Sequence, residues 1–233
     1  MKIKKLEHKG LILNARVGTS DEKTFDEVIV RNVYEKRYFK IQTGDHWIDL
    51  GGNVGAFALN AISKGATVDI YEPDPFNCKM IEKNLKANNF DANIFQKAVV
   101  ANDLKKMTMY VGNNMQVWRN SLYKNWGNQK FTVPCVHYSE VLNNESDCCK
   151  MDIEGAEMPI LEAMDLFPRK MVFEWSLDID RSLSRYRTII DKFSTKYNSL
   201  IYKKQFYKLA DDSLPRNIAV ACDNIYCYDK KTL

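Results

Sequence analysis

No stretch of this chain approaches the roughly 20 consecutive apolar residues that a membrane helix needs, and no block of like charge stands out along it. The opening Met-Lys-Ile-Lys-Lys-Leu-Glu lacks the apolar core of a signal peptide. Lys+Arg 34 against Asp+Glu 30 leaves a net charge of +4, spread along the sequence, which argues against strong nucleic-acid affinity. Metal-ligand spacing is missing among the six cysteines, Cys78, Cys135, Cys148, Cys149, Cys222 and Cys227, and several lie in or beside apolar runs. They read as reduced, buried thiols. Internal repeats and low-complexity tracts are missing as well. These absences predict a soluble cytoplasmic protein with no membrane partner and no strong sign of a nucleic-acid one.

What is present is enough apolar material for one substantial core: 233 residues, 45% of them hydrophobic. Residues 1–40 read as an N-terminal appendage on the substrate side, and 41–233 as the main domain. The appendage holds a β-like run over Gly10–Ala15, a helix start at Thr24-Phe25-Asp26-Glu27, and an apolar series (Val30, Val33, Tyr34) at helical spacing. From His46 the pattern sharpens into strand Trp47–Leu50, a glycine elbow, helix Ala56–Lys64 stopped by Gly65, and strand Thr67–Tyr71, which is one βαβ unit.

Asp74 and Pro75 then stand at the cap and first position of a helix through Phe76, Met80, Ile81 and Leu85, ended by Asn88-Asn89. Further strands are predicted over Ala92–Gln96, Lys105–Val111, Phe131–Val136, Cys148–Ile153 and Lys170–Trp175. Helices follow through Leu161 to Leu166 and over Leu183–Phe193, and late β-like runs over Leu200–Leu209 and Ile218–Tyr228. Alternating strands and helices with an antiparallel tail indicate an α/β, mostly parallel, doubly wound sheet. The polar stretch from Gly112 to Lys130, holding Trp118 and Trp126, reads as a long functional loop.

The elbow runs Asp49-Leu50-Gly51-Gly52-Asn53-Val54-Gly55. Its glycines do not satisfy the dinucleotide fingerprint G-x-G-x-x-G but give D-x-G-x-x-x-G. An acid at the rim would repel a pyrophosphate, so the expected ligand carries positive charge there, and the sulfonium and ammonium of S-adenosylmethionine (SAM) fit. Gly51 and Gly52 allow close backbone approach, and Gly55 lets the helix pack on the strand. Glu72 closes the second strand about 20 residues beyond the glycines, where an acid can accept hydrogen bonds from both ribose hydroxyls. Asp74 is a further candidate for ribose or adenine, with a helix cap as the simpler explanation. Lys97 and Ala98 are candidates for backbone contacts to adenine.

Lys150-Met151-Asp152-Ile153-Glu154-Gly155-Ala156-Glu157 puts three acids at the carboxyl end of a buried strand and in the next helix turn, the ligand crevice of an open α/β sheet. A carboxylate there can act as general base for a hydroxyl that attacks the sulfonium methyl, or help hold a divalent metal that lowers the hydroxyl's pKa. Asp152, in an otherwise apolar run, is the hardest to explain without a ligand, with neutralisation by Lys150 or neighbouring backbone as the alternative. Glu157 is the best candidate for a plain helix-terminus role. Glu174 repeats the pattern at the end of the next strand. His137 is a weaker candidate base. Trp118, Trp126 and Trp175 suit stacking on a sugar, with core packing the simpler account of Trp175. Arg181, Arg185 and Arg187 suit a phosphate or a solvated helix face equally.

Gly44-Asp45, Trp47–Gly55, Glu72-Pro73-Asp74 and Lys150–Glu157, in this order, resemble the FkbM-type SAM-dependent methyltransferases over about Gly44 to Trp175. The resemblance implies a Rossmann-like class I methyltransferase fold and O-methylation of sugars, polyketides or other secondary metabolites. Gly52 stands where alanine is more usual, and Trp175 where histidine is. The expectation is O-methyl transfer from SAM to a sugar, a glycan or another small-molecule acceptor. Asp49, Gly51, Asn53, Gly55, Glu72, Asp74, Lys97 and Ala98 would hold the cofactor, and Asp152, Glu174 and Glu154 would act on the acceptor. Protein or nucleic-acid N-methylation ranks second, because no Asn-Pro-Pro-Tyr-like tetrapeptide or basic groove is evident. A non-catalytic SAM-binding module ranks third.

Overall fold

The computed structural model describes residues 2–112, 120–125, 129–144, 147–175, 179–204, 208 and 223–229. In chain order the elements begin with a hairpin, β1 (Ile3–His8) and β2 (Leu11–Arg16), then α1 (Asp21–Phe25), which continues as a π turn over Asp26–Val30. Next come β3 (His46–Leu50), α2 (Ala56–Ile62), β4 (Thr67–Tyr71), α3 (Pro75–Ala87), β5 (Asn93–Phe95), β6 (Ala98–Val100), β7 (Lys106–Tyr110) and β8 (Lys130–His137). The chain then forms α4 (Tyr138–Val141), β9 (Cys148–Met151), α5 (Glu157–Ala163), β10 (Lys170–Trp175), α6 (Leu183–Ser194), β11 (Ser199–Ile201) and β12 (Asp223–Tyr228).

Among the described residues, seven strands make the central sheet in the order β11-β12-β10-β9-β3-β4-β5. Pairing is parallel from β10 to β5, and β12 runs antiparallel to both β10 and β11. The strand order reverses between β3 and β9, the topological switch point where open α/β sheets bind ligands. A side sheet, β6-β8-β7, was not expected as a unit, because three-residue β6 is too short to show a period.

Two cores form because side chains alternate across the sheet. Ile48, Leu50, Cys149, Met151, Phe173 and Trp175 pack on one face with α5 and α6. Trp47, Cys148, Val172 and Tyr226 pack on the other, with α2 and the N-terminal residues Phe25, Val28, Tyr34 and Phe39. Burying each such large apolar side chain is worth about 1.5–3 kcal/mol. The same alternation assigns Asp49, Lys150, Glu174 and Asn224 to the second face. Asp49 pairs with Lys150 and Glu174 with Asn224 in register, so these residues form a polar band under the N-terminal segment.

The sheet strands and α3 lie where the sequence places them, with Asp74 accepting from the Phe76 amide at 2.8 Å as the α3 cap. The N-terminal helix differs. It starts at Asp21, whose carboxylate is buried against Arg16 (Nε to Oδ2 2.8 Å), and it stops at Val30, ahead of Asn32 in the left-handed region at φ 53°. Val33 and Tyr34 therefore follow the helix instead of extending it. The run predicted to reach Ile153 ends as a strand at Met151, which leaves Asp152 at its mouth. The hairpin docks on α3, where Asn84 Oδ1 accepts the Asn14 amide (2.7 Å) and Asn88 Oδ1 the Ile12 amide (2.8 Å). Trp118, Trp126 and most of the run Leu200–Leu209 lie outside the described residues.

Candidate functional site

A cavity of about 310 Å³ opens at the switch point, lined by the elbow, the ends of β4, β9 and β10, and residues 23–34. At the elbow, Gly51 has φ 88°, and a Cβ there would fall 1.9 Å from the Asp152 carbonyl oxygen, so only glycine lets β3 and β9 end this close together. Gly52 is constrained as well, since a Cβ would meet Ile70 Cγ2 at 2.3 Å. The alanine more usual at that position does not fit this packing without movement of Ile70.

Glu72 is 5% exposed and spans the elbow's opening. Its Oε2 accepts the Asn53 amide at 2.7 Å and its Oε1 the Asp74 amide at 2.8 Å. Burial raises its carboxyl pKa to about 7, with Asp74's charge adding to the rise and the two amides opposing it. Asn53 and Asn77 flank it, and the Oδ1 of each is buried with no hydrogen-bond partner among the described residues. Acceptor atoms left empty along one wall suit a ligand that brings donors, as ribose hydroxyls and an amino group do. Lys97 and Ala98 line the same end.

Asp49 differs from the rim acid the sequence suggested. It is fully buried within β3 and does not line the cavity. Lys150 sits beside it on the neighbouring strand, with Nζ 3.1 Å from Oδ1, and donates to the Gly51 carbonyl at 2.7 Å. Burial opposes the Lys150 charge, but Asp49 and Asp152 hold its pKa above the ordinary lysine value. Asp49 thus acts on the elbow through Lys150. Lys150 makes its close contacts with Asp49 and Gly51, while its charge also acts on Asp152, whose hydrogen-bond partner is another residue. Gly55 and Asp74 also stand outside the lining, Gly55 against Ile81 and Asp74 bonded to Asn120 (2.7 Å).

Asp152 faces the cavity, and its Oδ2 accepts a 2.6 Å hydrogen bond from the Tyr34 hydroxyl. Glu174 follows Phe173, the register partner of Met151, just as Asp152 follows Met151, so both carboxylates reach the same cavity from adjacent strand ends. Asn224, opposite Glu174 on β12, adds another buried Oδ1 with no partner among the described residues. Glu154 lines the cavity at φ 52°, its carbonyl accepting from Ser121 Oγ at 2.6 Å. Glu157 clasps the turn between them, Oε1 accepting the Ile153 amide and Oε2 the Gly155 amide, both at 2.7 Å. The role is structural, as the sequence suggested, but it is exerted on the turn ahead of the helix and not on the helix terminus.

His137 caps α4, with Nδ1 2.7 Å from Ser139 Oγ, and does not line the cavity. Trp175 is fully buried against Tyr186, its indole N–H donating to the Asp180 carbonyl at 3.0 Å. Arg185 is paired with Glu162 (2.7 Å) and Asp180 (2.5 Å), as on an ordinary helix surface. Among the described residues, no three His, Cys, Asp or Glu side chains converge as a metal group would require. Sequence reasoning missed Tyr34, Asn77 and Asn224 as lining residues. Only Asn77, one helical turn beyond Asp74, carried a local signal.

The fold is that of the class I SAM-dependent methyltransferases. A Pyrococcus horikoshii protein described as a transferase superposes with TM-score 0.52 at 10% identity, over 97% of this chain and 72% of its own. A T. thermophilus 16S rRNA methyltransferase in complex with AdoMet and guanosine superposes with TM-score 0.51 at 12% identity, over 98% of this chain and 50% of its own. The methyltransferase FkbM domain matches residues 49–200, and the chain belongs to that family. None of the curated proteins matches the sequence. No helix among the described residues is long and apolar enough to cross a membrane.

Proposed function

We propose that this protein is an O-methyltransferase that transfers the SAM methyl group to a hydroxyl of a sugar or glycan. The carrying observation is that Asp152 and Glu174 face the same cavity as the elbow, from adjacent strand ends. Bound SAM supplies the electrophilic methyl of its sulfonium. Gly51, Asn53 and Glu72 hold the nucleoside, with Lys97 and Ala98 along its base. Asp152 takes the acceptor's proton, Glu174 orients the hydroxyl, and Glu154 stands next to them. Holding oxygen, methyl and sulfur in line supplies much of the rate.

The carboxylates of Asp152 and Glu174 and the Asn224 carbonyl beside them favour a polyhydroxyl acceptor, whose donors they can satisfy, over a polyanion. This ranks nucleic-acid methylation below sugar methylation, although the T. thermophilus protein was solved with guanosine. Lys23, Thr24, Glu27, Val28, Val33 and Tyr34 line the cavity, which supports a substrate-side role for residues 1–40. The five described cysteines are buried and unpaired, in keeping with a cytoplasmic location.

Calorimetry with SAM and methyl transfer to a panel of glycosides test the proposal. Glu72→Ala is expected to weaken SAM binding by about 1–3 kcal/mol through lost charge-assisted hydrogen bonds. Unchanged affinity refutes the ribose role. Uptake of NAD or a nucleoside triphosphate in place of SAM overturns the whole reading.

A further inference from the structure

Tyr34 stands over the polar band of the sheet. Its hydroxyl donates to Asp152 Oδ2 at 2.6 Å, Lys150 Nζ lies 5.5 Å from its ring centroid, and its ring meets Phe57 edge-on at 5.5 Å. The segment that carries it is tied down next door, where the Tyr226 hydroxyl donates to the Val33 carbonyl. Burial foremost, then the charges of Asp152 and Glu174, hold the Tyr34 phenol protonated, so it stays a donor. Asp152 Oδ1 accepts no hydrogen bond from any described residue, while the Asp152 carbonyl backs onto Gly51 at the elbow. The carboxylate is therefore pinned by one oxygen and keeps the other without a described partner, on a residue that lines the cavity beside the loop that would carry the cofactor.

We infer that Tyr34 is a positioning residue: it fixes Asp152 so that Oδ1 faces the point where the transferred methyl and the acceptor oxygen meet. The N-terminal segment is then part of the reaction centre, supplying the group that aims the base. A core tyrosine whose hydroxyl had merely found a convenient carboxylate would affect stability alone. This inference rests on the methyltransferase reading, and its test needs no knowledge of the acceptor.

The probes are S-adenosylhomocysteine and sinefungin, an analogue with an ammonium group where SAM carries the sulfonium methyl. Both share the nucleoside and amino-acid contacts, so their affinity ratio isolates what faces the methyl position. Titration calorimetry of the wild type is expected to show sinefungin bound about tenfold more tightly, the scale of one charge-assisted hydrogen bond. Asp152→Asn should bring the ratio to about one. Tyr34→Phe, which keeps the ring contacts, should reduce it to about threefold or less, with S-adenosylhomocysteine affinity unchanged. If Tyr34→Phe does not fold, Tyr34→Gln, which keeps a donor without the ring, should retain a ratio above that of Asp152→Asn.

A ratio near one in the wild type, or a wild-type ratio in Tyr34→Phe, overturns the inference and leaves the cofactor reading standing. A Tyr34→Gln ratio no higher than that of Asp152→Asn overturns it as well. Failure of both ligands to bind the wild type sinks the methyltransferase reading itself.

Discussion

The elbow side of the cavity is built from two short stretches, Gly51–Asn53 and Glu72–Asn77. The facing side draws Tyr34, Asp152, Glu174 and Asn224 from four separated places in the chain. The first is held by backbone, with glycines that admit no side chain and amides that fix Glu72. The second is held by side chains reaching across strands. A backbone-built site tolerates change in its neighbours but little in itself, whereas a side-chain-built one can be retuned residue by residue.

The sharpest way to break this contrast is Asp152→Asn. Turnover is expected to fall by about 10²–10⁴-fold, the usual worth of a general base, while SAM affinity changes by less than about tenfold. Steady-state methyl transfer and calorimetry read the two effects separately, and full activity would remove Asp152 from the reaction. Gly51→Ala probes the opposite half. A Cβ at 1.9 Å from the Asp152 carbonyl, on a left-handed residue, should cost about 2–4 kcal/mol in chemical denaturation and abolish tight SAM binding. A loss below about 0.5 kcal/mol would show that β3 and β9 can part freely.

The smallest expected effect sharpens the comparison by what the halves share. Burial raises Glu72 on one side and Glu157 on the other from 4.5 to about 7. An acid whose pKa rises on folding stabilises the fold while protonated. That contribution is full below pH 4.5 and is lost as pH rises through about 7. The ligand-free protein should therefore lose on the order of 1–3 kcal/mol for each of the two groups between pH 5 and pH 8. Glu72→Gln should flatten part of this decline in thermal denaturation across that range, and an unaltered profile would refute the assignment.

These two modes of construction also explain how much was legible in the sequence. The elbow, the Glu72 position and the Asp74–Pro75 cap are local patterns, and each lies within a turn or so of where the spacing put it. The polar band is different. Asp49 and Lys150 are 101 positions apart in the chain and meet only because β3 and β9 pair in that register, so the acid's burial and its partner were invisible beforehand. Tyr34 reads as one more apolar residue in a helix until Asn32 ends that helix and turns the ring toward Asp152. Asn224 carries no local signal at all, since its place follows from an antiparallel strand added at the far end of the sheet.

The Glu157 clasp has a consequence for engineering. It grips two amides of the turn that presents Asp152 and Glu154, so the shape of that turn is held from outside those two side chains. Position 154 is then a replaceable fitting on a fixed bracket that holds Asp152 in place. A library that varies residue 154 with Asp152 and Glu157 retained would explore new acceptors without rebuilding the scaffold, whereas one that sacrifices Glu157 would lose the bracket that presents the base.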